Sequence, residues 1–201
     1  MTLFGPGDEL TFAFDETRRL RIAAPEGQLP LAAFLYTDAQ SDAHAVGELA
    51  ALLRRAQCEA KTWLGNGCSV DLTGDVAVLD SLYGTWPRAT FPQPVFWSAL
   101  EGLQRFLVES GPGAPATGVA RAATEYRNLT NGRFCFVDHT YFPSDWSPAA
   151  ITEAGTRAWA ARETLRDPAT GAWSGSFGGL EIAGYYQPAT GEALTYFPVL
   201  R

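Results

Sequence analysis

Two histidines, His44 and His139, are the whole supply of imidazole in the chain. Acid–base chemistry near neutral pH therefore rests on them first. His139 follows Asp138 at the end of an expected strand, just before the Tyr141-Phe142-Pro143 turn. Strand ends often present catalytic groups; the competing reading is a structural histidine. His44 falls among alanines in an expected helix and reads as an ordinary surface residue. A metal site needs several ligands at suitable spacing. The histidines do not supply that spacing, and neither do Cys58, Cys68 and Cys135, which read as buried reduced thiols. No Gly-x-Ser-x-Gly elbow, Walker loop or Gly-x-Gly-x-x-Gly after a strand occurs, so no cofactor is expected. Gly175-Ser176-Phe177-Gly178-Gly179 is glycine-rich, but no helix follows it to hold a phosphate, and it reads as a hairpin loop. Lys61 is the only lysine, so cationic chemistry elsewhere must come from arginine.

Charge narrows the partner classes. The formal net charge is −7, and 14 of the 22 acidic residues fall in residues 1–113 against 8 of the 15 basic ones. Such a surface repels a phosphate backbone and attracts a basic protein; the plainer reading is that it keeps the chain soluble. The N-terminus lacks a basic stretch followed by an apolar one, and the apolar runs fall short of the ~20 residues of a membrane span. The expectation is a cytoplasmic protein with no membrane partner. Asn128-Leu129-Thr130 fits a glycosylation pattern, read as coincidence without a secretory route.

The elements that must position these residues are legible in places. Leu10 to Phe14 and Arg19 to Ile22 alternate around an Asp15-Glu16 turn and predict a hairpin. A helix fits Asp42 to Gln57, with Asp42 as N-cap and Val46, Leu49, Ala50, Leu53 and Ala56 as its apolar stripe. Cys68 to Leu72 and Val76 to Leu79 make a second hairpin across Thr73-Gly74-Asp75. Ser98 with Glu101 predicts a capping box opening a helix that carries Leu100, Leu103, Phe106 and Leu107. Arg133 to Val137 reads as a strand. Ser147-Pro148 starts a helix that turns Ile151, Ala154, Ala158 and Ala161 inward. The C-terminus, with Pro-Ala-Thr-Gly at 168–171 and 188–191, reads as an antiparallel meander. The sum is an α+β fold, antiparallel hairpins and sheet with two to three packed helices. Gly111-Pro112-Gly113-Ala114-Pro115 is the candidate boundary between domains 1–112 and 113–201, or else a long loop. The run from Thr90-Phe91-Pro92 through Trp97-Ser98 is echoed by Thr140 to Ser147, which reads as one helix-entry solution used twice.

Phe142-Pro143-Ser144-Asp145-Trp146-Ser147 up to Ile151, with the terminal Gly191 to Pro198 strand, resembles bacterial EndoU-type toxin nuclease domains. Those domains share a Phe-Pro-x-x-Trp-Ser helix entry and a closing Thr-x-Tyr-Pro strand. The resemblance implies RNA cleavage by the ribose 2′-hydroxyl, run by two histidines with lysine and Thr/Tyr support. Here this part of the chain holds His139 alone and no lysine, and Phe197 stands where the family has tyrosine. Under this reading His139, Thr195 and Tyr196 carry the site, and Arg127 and Arg133 contact phosphate. Residues 1–112 resemble, more loosely, acidic immunity proteins of polymorphic-toxin systems. The sequence thus favours a protein-binding component of such a system, immunity-type or accessory, whose partner is a basic protein such as a toxin domain. Its alternative is an EndoU-like RNA endonuclease with rearranged catalytic residues and RNA as partner.

Overall fold

The computed structural model describes residues 2–111, 118–128 and 132–201. The expected boundary segment from Pro112 to Pro115, and Leu129-Thr130 of the glycosylation pattern, lie outside the described residues. The chain opens with β1 (Phe4–Pro6), β2 (Thr11–Phe14) and β3 (Leu20–Ala24), then α1 (Leu29–Phe34) and α2 (Ala43–Cys58). Next come β4 (Thr62–Leu64), β5 (Cys68–Thr73), β6 (Val76–Ser81), β7 (Ala89–Pro92) and α3 (Gln93–Glu109). β8 (Ala120–Arg127), β9 (Phe134–Tyr141) and α4 (Pro148–Ala160) follow. The chain closes with β10 (Leu165–Arg166), β11 (Ala172–Phe177), β12 (Leu180–Gln187) and β13 (Glu192–Pro198).

Three sheets result, in the orders β1-β3-β2, β7-β6-β5-β4-β9-β8 and β10-β11-β12-β13. In the six-stranded sheet only β4 and β9 pair in parallel. These two strands come from opposite sides of the expected boundary. Strand alternation gives this sheet two unlike faces. Trp63, Val70, Leu72, Ala77, Leu79, Phe91 and Phe136 are buried on the face that α2 and α3 cover. The other face carries Thr62, Asp71, Val78, Val137 and His139 half-buried, with Ala122, Tyr126 and Tyr141 exposed. α4 packs on the four-stranded sheet instead. It approaches through small residues: a Cβ on Gly155 would lie 2.6 Å from the Tyr196 ring.

The α+β architecture holds, with four α-helices among the described residues where two to three were expected. The one the sequence reading lacks, α1, is the most deeply placed. With the π turn Leu35–Ala39 that continues it, it is buried from Leu31 onward. Phe34 meets Trp63 and Phe96 at ring-centroid distances of 5.9 and 5.3 Å. A helix apolar all round has no stripe to read.

The capping box at Ser98 is a misreading. α3 starts at Gln93 after Pro92, and Pro94 sits in its first turn, where a missing N–H costs nothing. Ser147 does cap α4, accepting from the Ala150 N–H at 3.2 Å, so the echo between the two segments is one of letters only. Ala154 and Ala158 are buried as expected, but Ile151 is half-buried and Ala161 lies past the last turn. Cys68 and Cys135 are buried, whereas Cys58 is exposed at the end of α2. Gly178 and Gly179, at φ +61° and +82°, form the tight β11–β12 turn by adopting a backbone that other residues avoid. No helix among the described residues is long and apolar enough to cross a membrane.

Candidate active site

His139 stands on the uncovered face of the six-stranded sheet, opposite Ala122 of β8, with its ring 6.5 Å from that of Tyr141. Its neighbour Asp138 does not orient it. Successive strand residues point to opposite faces, and the Asp138 carboxylate is buried beneath the sheet. There it accepts from Arg121 Nε and Nη2 at 2.9 and 2.8 Å and from Trp63 Nε1 at 3.2 Å. His44 is exposed on α2 and lies 3.5 Å from Glu48 one turn on, a partner the sequence reading overlooks. Both side chains are largely in water, where such a pair contributes little.

Thr195 and Tyr196 diverge. Thr195 pairs with Tyr185 on the face towards the main core, and its carbonyl accepts from Trp173 Nε1 at 3.2 Å. Tyr196 turns to α4, with its ring against Gly155 and edge-on to Phe142 at 6.3 Å. Phe197 is core, 5% exposed, a place where a phenol would need a buried partner. Thus His139, Thr195 and Tyr196 do not converge on one cavity. Their strands do meet: Thr140 Oγ1, one residue from His139, donates to the Pro198 carbonyl at 2.8 Å.

The helix entry is built as a unit. Phe142 stacks on Trp146 at 5.8 Å, Ser147 caps α4, and the Tyr196 ring of the closing strand seats on Phe142. Residues 115–200 match the bacterial EndoU nuclease family. The EndoU segment therefore comprises the β8–β9 hairpin, α4 and the four-stranded sheet, and it supports a toxin-related nuclease domain in this part of the chain. The immunity-like reading of residues 1–112 draws nothing from that match. No curated protein and no solved structure matches the chain.

The sequence reading missed a buried polar hub that fastens the EndoU segment to the rest. Asp38, fully buried in the π turn, accepts from the Gly67 N–H at 2.9 Å and from Thr37 Oγ1 at 2.7 Å. Asn66 Oδ1 accepts from the Thr140 N–H at 3.1 Å, and Gln40 Oε1 from the Leu200 N–H at 2.8 Å. Gln40 adopts φ +67°, ψ −157°, a conformation costly for a side-chain-bearing residue and held here by those bonds. A carboxylate within the mostly apolar run from Leu29 to Ala39 is the sequence signal that marks the hub.

Burial pushes the Asp38 carboxyl up to about 6, against its bonds to Thr37 and Gly67 and the Arg121 charge, which pull it down. Its folded value exceeds the unfolded one of 3.8, so the native state binds the proton more tightly. The resulting stabilisation is full below the unfolded value and is lost as pH rises to about 6. The loss is on the order of 3 kcal/mol. Asp38→Asn should flatten the stability-versus-pH curve in that window alone; urea melts across the window check it.

A cavity of about 990 Å³ opens at the Phe134 end of β9, lined by Lys61, Thr62, Asp71, Arg88, Arg133 and Phe134. Lys61 Nζ lies 2.7 Å from Glu125, and Arg88 forms a fork with Asp80 at 2.9 and 2.7 Å. These two cations are thus paired with carboxylates in place. Among the described residues no three His, Cys, Asp or Glu side chains gather as a metal-ligand set.

Proposed function

We propose that this chain is an EndoU-type RNA endonuclease whose acid–base group is His139. The observation that carries the reading is the EndoU match over residues 115–200, which contains a half-exposed histidine on an uncovered sheet face. In the reaction the ribose 2′-oxygen bonds to the adjacent phosphorus and the bond to the 5′-oxygen breaks. The products are a 2′,3′-cyclic phosphate and a 5′-hydroxyl. His139 removes the 2′-hydroxyl proton as base, or protonates the leaving oxygen as acid. A single imidazole performs one of these at a time, so solvent supplies the other and turnover is slow. Tyr126 and Tyr141, exposed on the same face, offer rings for bases to stack on. Arg127, on the opposite face at the far end of the β8–β9 hairpin, and Arg133 beside it would meet phosphates away from the cleaved linkage. Tyr196, packed against α4, supports the scaffold rather than the reaction.

Purified protein incubated with single-stranded RNA should leave cyclic phosphate ends, slowed about 10²–10⁴-fold in His139→Ala. Cleavage unchanged in that variant, or absent from the parent, overturns the reading.

A second reading is binding to a basic protein such as a toxin domain, as an immunity-type or accessory component. It draws on the acidic residues 1–113 and on the carboxylate-paired cations Lys61 and Arg88. Titration against a basic nuclease domain should then show affinity that falls as salt rises. Absent or salt-independent binding would speak against it.

A further inference from the structure

β4 runs out before β9 does. Their parallel pairing ends at Leu64 and Val137, whereas β9 continues through His139 to Tyr141. On its other side β9 stays paired with β8, where Ala122 stands opposite His139. Backbone groups of successive strand residues point to alternate edges, and a buried N–H needs an acceptor. Past the end of β4 a side chain takes the place of a strand. Asn66, 7% exposed, accepts at Oδ1 from the Thr140 N–H at 3.1 Å, one residue from His139. Its Nδ2 donates to the Thr37 carbonyl of the π turn at 3.1 Å. The turn that delivers this carboxamide is fitted to its surroundings. Asn66 lies between Gly65 and Gly67, and the Gly65 N–H donates to the Cys68 carbonyl at 2.8 Å. A Cβ on Gly65 would collide with Asp38 Oδ1 and the Trp63 ring, and one on Gly67 with the Tyr185 ring.

Among the described residues no hydrogen bond fixes the His139 ring, and its one ring contact is Tyr141 at 6.5 Å. The backbone of β9 therefore sets where the imidazole stands. We infer that Asn66 is a positioning residue for His139, standing in for the strand that β4 does not supply and fixing the backbone that carries the imidazole. The inference rests on His139 as the acid–base group of the proposed endonuclease. Asn66 acts through the Thr140 peptide, and its own side chain is spent on β9 and the π turn. A displacement of about 1 Å at a reacting group costs on the order of 10²-fold in rate. Its loss is therefore read in kcat, whereas KM reports binding made elsewhere on the face.

His44 and His139 are the only histidines, so proton NMR of the imidazole Cε1–H reads two resonances, and His44→Gln assigns them. Asn66→Leu keeps the side-chain volume and removes both bonds. Asn66→Asp keeps an acceptor for the Thr140 N–H. Glu181→Gln loosens the chain away from β9. In Asn66→Leu, folded by circular dichroism, kcat on single-stranded RNA should fall about 10²-fold with KM within about twofold of the parent. Its His139 resonance should shift or broaden while that of His44 stays in place. Asn66→Asp should keep the parental His139 resonance and most of kcat, and Glu181→Gln should alter neither. Equal loss of kcat in Asn66→Asp and Asn66→Leu, or a His139 resonance unmoved in Asn66→Leu, overturns the inference. Should Asn66→Leu fail to fold, a displaced His139 resonance in Asn66→Asp overturns it and a parental one supports it. If the parent cleaves no RNA, the endonuclease reading falls, and the resonances alone decide whether Asn66 places the imidazole.

Discussion

Asp138→Ala is expected to destabilise the chain by about 3–5 kcal/mol, the usual cost of removing one partner from a buried ion pair. The Asp138 side chain is 3% exposed and that of Arg121 11%, so neither charge has water to fall back on. The carboxylate also holds Trp63 Nε1 from β4, fully buried, and so pins β4, β9 and β8 together beneath His139. Removing it orphans a guanidinium and an indole N–H at once. Replacing both partners by apolar residues, Arg121→Met with Asp138→Leu, should recover most of the loss, because the desolvation of both charges disappears with them. A residual cost of about 1–3 kcal/mol remains for the Trp63 N–H. Urea melts of the parent and the two variants separate these contributions, and an Asp138→Ala variant as stable as the parent would contradict the account.

Glu181→Ala should be of similar size. Its carboxylate, 1% exposed, accepts from Ser174 Oγ at 3.0 Å, Arg201 Nε at 2.8 Å and the Tyr36 hydroxyl. Burial and the Glu181 charge push the Tyr36 phenol well above its ordinary value, so that phenol stays a donor. Alanine at 181 leaves two buried hydroxyls and Arg201 without their acceptor, and the loss is again about 3–5 kcal/mol. Glu181→Gln keeps the shape and should cost less. Because Glu181 joins α1's continuation, the four-stranded sheet and the end of the chain, hydrogen exchange should show β12 and β13 opening first in Glu181→Ala. Opening confined to β8 and β9 would contradict it.

The sequence makes legible the elements whose signals are local. Asp42 caps α2 through the Ala45 N–H at 2.7 Å, and Ser147-Pro148 opens α4 where the cap rules put it. What stays hidden depends on distant partners. α1 has no polar face because Trp63 and Phe96 surround it. β4 is three residues long and exists because β5 and β9 flank it. β8, Ala-Arg-Ala-Ala-Thr-Glu-Tyr-Arg, shows no apolar alternation, a composition a loop shares, until β9 gives it a register. The Asp38 hub is bonded to residues far along the chain, so local pattern cannot reveal it. Ser98 shows the converse: a valid local signal overridden by the prolines ahead of it.

The central claim is that RNA is cut through its own 2′-hydroxyl with His139 moving a proton. The most direct measurement compares an all-ribose oligonucleotide with the same oligonucleotide carrying one 2′-deoxy position at the cleaved linkage. The account predicts a cyclic phosphate from the first, protection of the altered linkage in the second, and loss of both patterns in His139→Ala. Cleavage of the deoxy linkage, or full activity in His139→Ala, would contradict it.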